Sequence, residues 1–292
     1  MFHLTNQSLL KGFEMGKISN SWGLMKASWK ILMMDKEMLL FPIFSGIASI
    51  LIVISLAIPL FIFDGGELFN DIISSENQII KYVVVFLFYF CNYFIVIFFN
   101  SAIVICATIR MNGGDPTFKD GIRLATKRLP LIIRWAIVAS GVGMILRIIE
   151  ERIGILGQII ANIIGFAWTV TSFLVIPVMV VDKRGPIDAL KESAHLLRKT
   201  WGEQLITNFS FGIIFLLLTI PVFGLFFLAI ISDKLFIIIF MMVISALYIL
   251  TLILIQSTLQ GIFQAALFKF ARSGNIAEGF NGYLLKNAIR QK

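Results

Sequence analysis

Six stretches of this chain run for roughly 20 residues or more with almost no charge, the length a helix needs to cross about 30 Å of hydrocarbon. They are residues 39–63, 82–109, 129–148, 159–181, 209–231 and 235–255. In lipid every backbone N–H and C=O must find its partner within the protein, so only helices and closed barrels cross. Barrel strands alternate apolar and polar residues with a period of two, and these runs do not alternate. The expected fold class is therefore all-α: a polytopic transmembrane helical bundle of about six spans. The second run is long enough to tilt or to project beyond the bilayer. The third carries Arg134 inside it and Arg147 near its end, and the sixth reads as helix from Gln256 on to Phe270.

Composition agrees. The chain is 58% hydrophobic and 14% charged, with a mean hydropathy of +0.91, whereas about a quarter of a soluble chain is charged. So few charges cannot cover a water-facing surface. The formal net charge of +8 raises nucleic acid as a partner, but the basic residues flank the apolar runs instead of forming a soluble block. Anionic membrane is the better reading.

Orientation follows from where those bases fall. The segments 1–38, 110–134 and 182–204, with the C-terminal tail, hold 21 of the 25 lysines and arginines. The alternate segments hold only Lys81, Arg147, Arg152 and Lys234, and the first of them carries Asp64, Glu67, Asp71 and Glu76. Cytoplasmic loops collect lysine and arginine, so both chain ends are expected in the cytoplasm. The organisation expected is a cytoplasmic segment 1–38, a membrane domain 39–267 and a cytoplasmic tail 268–292. The first long apolar run, beginning near Leu39, is too long for a cleaved signal core and is expected to serve as an uncleaved anchor. Cys91 and Cys106 sit in one run, roughly 22 Å apart along a straight helix, too far for a disulfide.

Three cytoplasmic segments read as amphipathic interfacial helices. In residues 22–33, Trp22, Met25, Trp29, Leu32 and Met33 are expected on one face, flanked by Lys26 and Lys30. Tryptophan at headgroup depth with lysine at the edge is what an interfacial helix presents. Asp35 is placed to cap the first membrane helix. Residues 116–128 and 185–199 have a similar character, the latter with Pro186 at a first helical position and Lys191, His195 and Lys199 along it. Lys26-Ala-Ser28 aligns with Lys191-Glu-Ser193, which gives a partial repeat of interfacial helix followed by membrane helix. Such repeats occur in transporters and in bundles that grew by duplication.

Four stretches carry a resemblance: Ser21-Trp-Gly-Leu-Met-Lys-Ala-Ser-Trp-Lys with Asp35-Lys-Glu-Met-Leu-Leu-Phe-Pro42; Gly113-Gly-Asp-Pro-Thr-Phe-Lys-Asp-Gly121; Gly185-Pro-Ile-Asp-Ala-Leu-Lys-Glu-Ser193; and Ala266-Leu-Phe-Lys-Phe-Ala271. Together they resemble a prokaryotic family of six-span membrane proteins of unknown function. More distantly they are similar to the membrane domain fused to some glycerophosphodiester phosphodiesterases. The resemblance implies the six-span fold and a bacterial or archaeal plasma membrane. It implies no active site.

No residue set reads as catalytic. His3 is terminal, and His195 is expected at the headgroups. So few His and Cys leave no zinc set, and no metal or cofactor is expected. Glu150 and Glu151 are neighbours on a helix and point about 100° apart, so they cannot act as a facing acid and base; a surface ion-pair set with Arg147 and Arg152 is expected. Gly141 and Gly143 lie in a span, where small residues let helices approach.

Polar groups within the bilayer are costly enough to mark a role. Gln256, Gln260 and Gln264 recur every fourth residue, and Asn92, Asn100 and Asn162 lie in other spans. These amides either line a path for a polar solute or headgroup, or bond between helices, and the second reading is favoured. Arg134 can snorkel toward an anionic headgroup. The expected role is a non-enzymatic membrane protein that organises lipid or a protein partner, another copy included, through Trp22, Lys26, Trp29, Lys30, Arg134, Lys191 and Lys199. The alternative is a transporter or channel for a small polar solute or lipid.

Overall fold

The computed structural model describes residues 22–62, 78–201, 211–232, 234–274 and 280, and all regular structure among them is helical. Residues 22–34 form α1, followed by a 3-10 turn, Lys36–Leu39. Then come α2 (Leu40–Ile62), α3 (Gln78–Arg110), α4 (Phe118–Thr126), α5 (Leu129–Ser172), α6 (Val175–Val181), α7 (Pro186–Trp201), α8 (Phe211–Leu218), α9 (Ile220–Ile231) and α10 (Leu235–Ser273). Among the described residues, five helical stretches are long and apolar enough to cross a membrane: Lys36–Ser55, Tyr82–Arg110, Leu129–Val181, Ile214–Ile231 and Leu235–Ser273.

The chain divides into two compact units, Met1–Leu39 with Ala107–Pro116 and Leu196–Lys292, and Leu40–Cys106 with Thr117–His195. In the second unit α5 contains one non-helical residue, Gly154, at φ 64° and ψ −138°. Those angles are open to glycine and strained for other residues. The chain doubles back there. The rings of Trp135 and Trp168 stack at 5.4 Å, although 33 residues of straight helix would separate them by about 50 Å. Gly165 likewise faces Leu146. The third and fourth expected spans are thus the two limbs of one hairpin, each long enough for about 30 Å of hydrocarbon. The expected spans 129–148 and 159–181 fall on either side of Gly154, with the exposed apolar residues Ile153, Ile155 and Leu156 at the turn.

Close packing elsewhere in this unit depends on glycine. A Cβ on Gly121 would lie 2.5 Å from the Phe41 ring and 2.7 Å from Cys106 Sγ. Its absence lets α4 settle against them, with Phe118 stacked on Phe41 at 4.8 Å. Gly143 faces the Tyr93 ring in the same way, which sets α3 beside the first limb of α5.

In the first unit α9 and α10 pack together. The fifth expected span breaks at Thr219, between α8 and α9, with Pro221 in the first turn of α9. Proline cannot continue the hydrogen-bond ladder, and Tyr248 Oη donates to the Leu218 carbonyl at 2.7 Å. The last span continues to Ser273, about 58 Å of helix, and ends at Gly274 with φ 68°. Its stretch from Thr258 to Phe268 is buried except for half-buried Gln260.

Candidate functional site

Among the described residues of the first unit, a polar cluster gathers at the C-terminal end of α3. Helix α1 ends at Leu32–Met34, where the Asp35 N–H donates to the Ile31 and Leu32 carbonyls. This turn aims the Asp35 side chain at Arg110, whose Nε and NH2 groups donate to the two carboxylate oxygens. Arg110 also pairs with Asp115. Side-chain exposure separates the two contacts: Arg110 is 16% exposed and Asp35 8%, whereas Asp115 is 87% exposed. The first is a sheltered two-pronged pair of the strong kind, and the second is a surface contact of little weight. Asp35 was expected to cap α2; its carboxylate is instead engaged by Arg110.

Lys269, on α10, completes the cluster. Its Nζ donates to the Met111 carbonyl at 2.8 Å and to Asn112 Oδ1 at 2.7 Å. A cation at the carbonyl end of a helix satisfies orphan acceptors and complements the helix dipole. The cluster therefore joins three of the four stretches that carried the family resemblance. Its charges are balanced among themselves, which suits a structural clasp.

The fourth stretch lies in the second unit, where the chain leaves regular helix after Ser172. Ser193 Oγ accepts the Leu174 N–H at 3.1 Å and donates to the Thr171 carbonyl at 2.6 Å. Arg184 pairs with Glu192 at 2.9 Å, and Arg128 Nε donates to the Val180 carbonyl at 3.2 Å. Helix α4 opens on a reciprocal cap: Thr117 Oγ1 accepts the Asp120 N–H, while the Asp120 carboxylate accepts from the Thr117 N–H and hydroxyl. These bonds hold the Asp120 carboxyl below the usual carboxylate range, Thr117 being the largest cause and Arg123 a smaller one.

The expected binding residues lie elsewhere, on outward faces. On α1, Trp22, Lys26, Trp29, Lys30, Met33 and Met34 are exposed, while Leu24, Met25, Ala27, Ser28, Ile31 and Leu32 are buried. At 100° per residue each set forms one continuous arc. Met25 and Leu32, expected beside the tryptophans, belong to the protein core; the outward arc mixes tryptophan, methionine and lysine. On α7 the exposed arc is Ile187, Asp188, Lys191, His195 and Arg198. The Lys199 side chain and His3 lie outside the described residues. Arg134 is exposed.

The intramembrane amides do not share one environment. Asn92 Nδ2 donates to the Phe88 carbonyl of its own helix at 2.9 Å. Asn100 is half-buried and Asn162 exposed, Gln256 and Gln260 are half-buried, and Gln264 is buried. Of the expected ion-pair set, Arg147 takes Glu151 at 2.8 Å, whereas Arg152 donates to Tyr82 Oη at 3.3 Å. Among the described residues no three His, Cys, Asp or Glu are grouped as a metal would need.

Sequence reasoning passed over Arg110, Asn112 and Lys269 as binding partners. The available signal was their position, since each basic or amide group stands where an apolar helix meets a polar segment. A profile described as a family of unknown function (DUF6159) matches residues 79–279. No curated protein and no solved structure matches the chain.

Proposed function

The chain belongs to that family of unknown function, and on this premise we propose that it is a multi-pass plasma-membrane protein of a bacterium or archaeon that binds anionic phospholipid headgroups through α1. The observation that carries this reading is the outward arc of α1. A helix with half its circumference sealed in protein leaves Trp22 and Trp29, 50% and 40% exposed, beside Met33, Met34, Lys26 and Lys30. Neither lysine forms an ion pair among the described residues. Water is a poor solvent for those tryptophans and methionines, and hydrocarbon a poor one for the lysines. The headgroup layer suits both. The Lys191–Arg198 face of α7 adds a second basic strip of the same kind.

With the hairpin counted as two limbs, the chain passes the bilayer an even number of times. The lysine and arginine excess then supports a cytoplasmic location for both chain ends and α1, where anionic lipid is reached. No catalytic step belongs to this reading. Transport along Gln256, Gln260 and Gln264 would need all three amides on one wetted wall, and the burial of Gln264 disfavours that.

The test is a triple variant, Lys26→Gln, Lys30→Gln and Lys191→Gln, in vesicles of phosphatidylglycerol and phosphatidylcholine. Each lysine contributes on the order of 1 kcal/mol near an anionic surface. The variant should therefore lose most of the salt-sensitive enrichment of phosphatidylglycerol around the protein. Unchanged enrichment and salt dependence would refute the reading.

A further inference from the structure

A separate groove lies within the second unit, between α3 and the first limb of α5. It encloses about 370 Å³ and is lined by Tyr82, Val83, Phe86, Leu87 and Met144. Val83 and Leu87 are about half exposed, so the groove opens sideways from a helix apolar enough to span a membrane. The two helices run antiparallel here, because Tyr82 meets Arg152 while Tyr93 meets Gly143. Arg152, bonded to the Tyr82 hydroxyl at 3.3 Å, therefore stands beside the Tyr82 edge of the groove. Its apolar lining extends about 8 Å along α3 from Tyr82 to Leu87, at 1.5 Å per residue, and Met144 closes it from α5.

The four charges at this end, Arg147, Arg152, Glu150 and Glu151, sum to zero but pair unevenly. Glu151 pairs with Arg147, and Glu150 also acts electrostatically on Arg147. Arg152 forms no ion pair among the described residues, and its polar partner is the neutral Tyr82 hydroxyl. Because that hydroxyl oxygen accepts from Arg152, its own proton remains available to donate. A cation and a hydroxyl donor stand side by side at one end of an apolar trough.

We propose that this groove seats one phospholipid, with the phosphate held by Arg152 and Tyr82 and an acyl chain lying along Val83, Phe86, Leu87 and Met144. Guanidinium and phosphate match in charge and in donor geometry, and the trough runs from them toward the apolar middle of the helices. The site is independent of α1 and its lysines.

The test uses the full chain in detergent, with phosphatidylglycerol and a diacylglycerol of identical chains added, and retained lipid read by native mass spectrometry. Wild type should retain phosphatidylglycerol over diacylglycerol by about tenfold, the size of one charged hydrogen bond. Arg152→Gln should erase that preference, and Arg152→Lys should restore part of it. Met144→Trp, which fills the trough, should lower retention of both lipids. Wild-type retention in Arg152→Gln and Met144→Trp together would overturn the proposal. Loss of preference in Arg152→Gln with no effect of Met144→Trp would show a surface phosphate contact without a seated chain, and would overturn it equally. So would a shift of Met144→Trp from dimer to monomer with lipid retention unchanged, since the groove would then be a contact between copies.

Discussion

Arg110 grips both carboxylate oxygens of Asp35, a residue 75 positions away in the chain. The pair ties the end of α1 to the end of α3, and its shelter from solvent sets its energetics. Removing Arg110 strands the sheltered Asp35 carboxylate, at about 3–5 kcal/mol, whereas Arg110 without Asp35 keeps its surface contact with Asp115 and loses less. Arg110→Met should lower the unfolding temperature in detergent markedly, and Asp35→Ala should lower it less. The double variant should be nearer wild type than Arg110→Met alone. Additive losses would mean that the two charges do not act on each other.

Ser193 predicts a second, smaller effect. Its hydroxyl is buried and serves both the Leu174 N–H and the Thr171 carbonyl where α5 gives way to α6. Ser193→Ala leaves that buried N–H without an acceptor, at about 1–3 kcal/mol. Hydrogen exchange at the Leu174 amide should accelerate in this variant while distant amides keep their protection.

The cap of α4 should respond to acid. The Asp120 carboxyl is held below its ordinary range in the folded chain, so its contribution is fully present above the unfolded value, near 4. That contribution fades as pH falls through the lower, folded value. Exchange protection of the first turn of α4 should therefore weaken under acid. Thr117→Ala should remove about 1 kcal/mol at neutral pH and flatten the acid response.

Gly154 makes the hairpin. At φ 64° and ψ −138° a side chain is strained by about 1–3 kcal/mol, and no neighbouring atom lies within 4 Å of the added Cβ. Gly154→Ala should thus lower stability through backbone strain alone, with the stacking of Trp135 on Trp168 retained in near-ultraviolet circular dichroism.

The apolar spans and the polar ends were legible because hydrocarbon imposes length and composition directly. The inward face of α1 was not. Met25 and Leu32 are as apolar as the residues beside the tryptophans, and hydrocarbon and protein core select the same side chains. The reversal between the third and fourth spans was legible in the charges of Glu150, Glu151 and Arg152, whereas its placement at Gly154 is marked only by a backbone angle. Partners such as Asp35 with Arg110, or Lys269 with Asn112, depend on how distant helices meet, and local periodicity holds no record of that. The bases that hold helix ends and the bases that face outward look alike in sequence.

The central claim is that the outward arc of α1 lies in the headgroup layer. A fluorescent amino acid placed singly at each position from 22 to 34, in the chain reconstituted with lipids brominated near the headgroup, reads that contact directly. Quenching should rise and fall with the helical period, strongest at positions 22, 26, 29, 30 and 33 and weakest at 24, 28 and 31. Uniformly weak quenching, with the outward positions open to an aqueous quencher instead, would contradict the account.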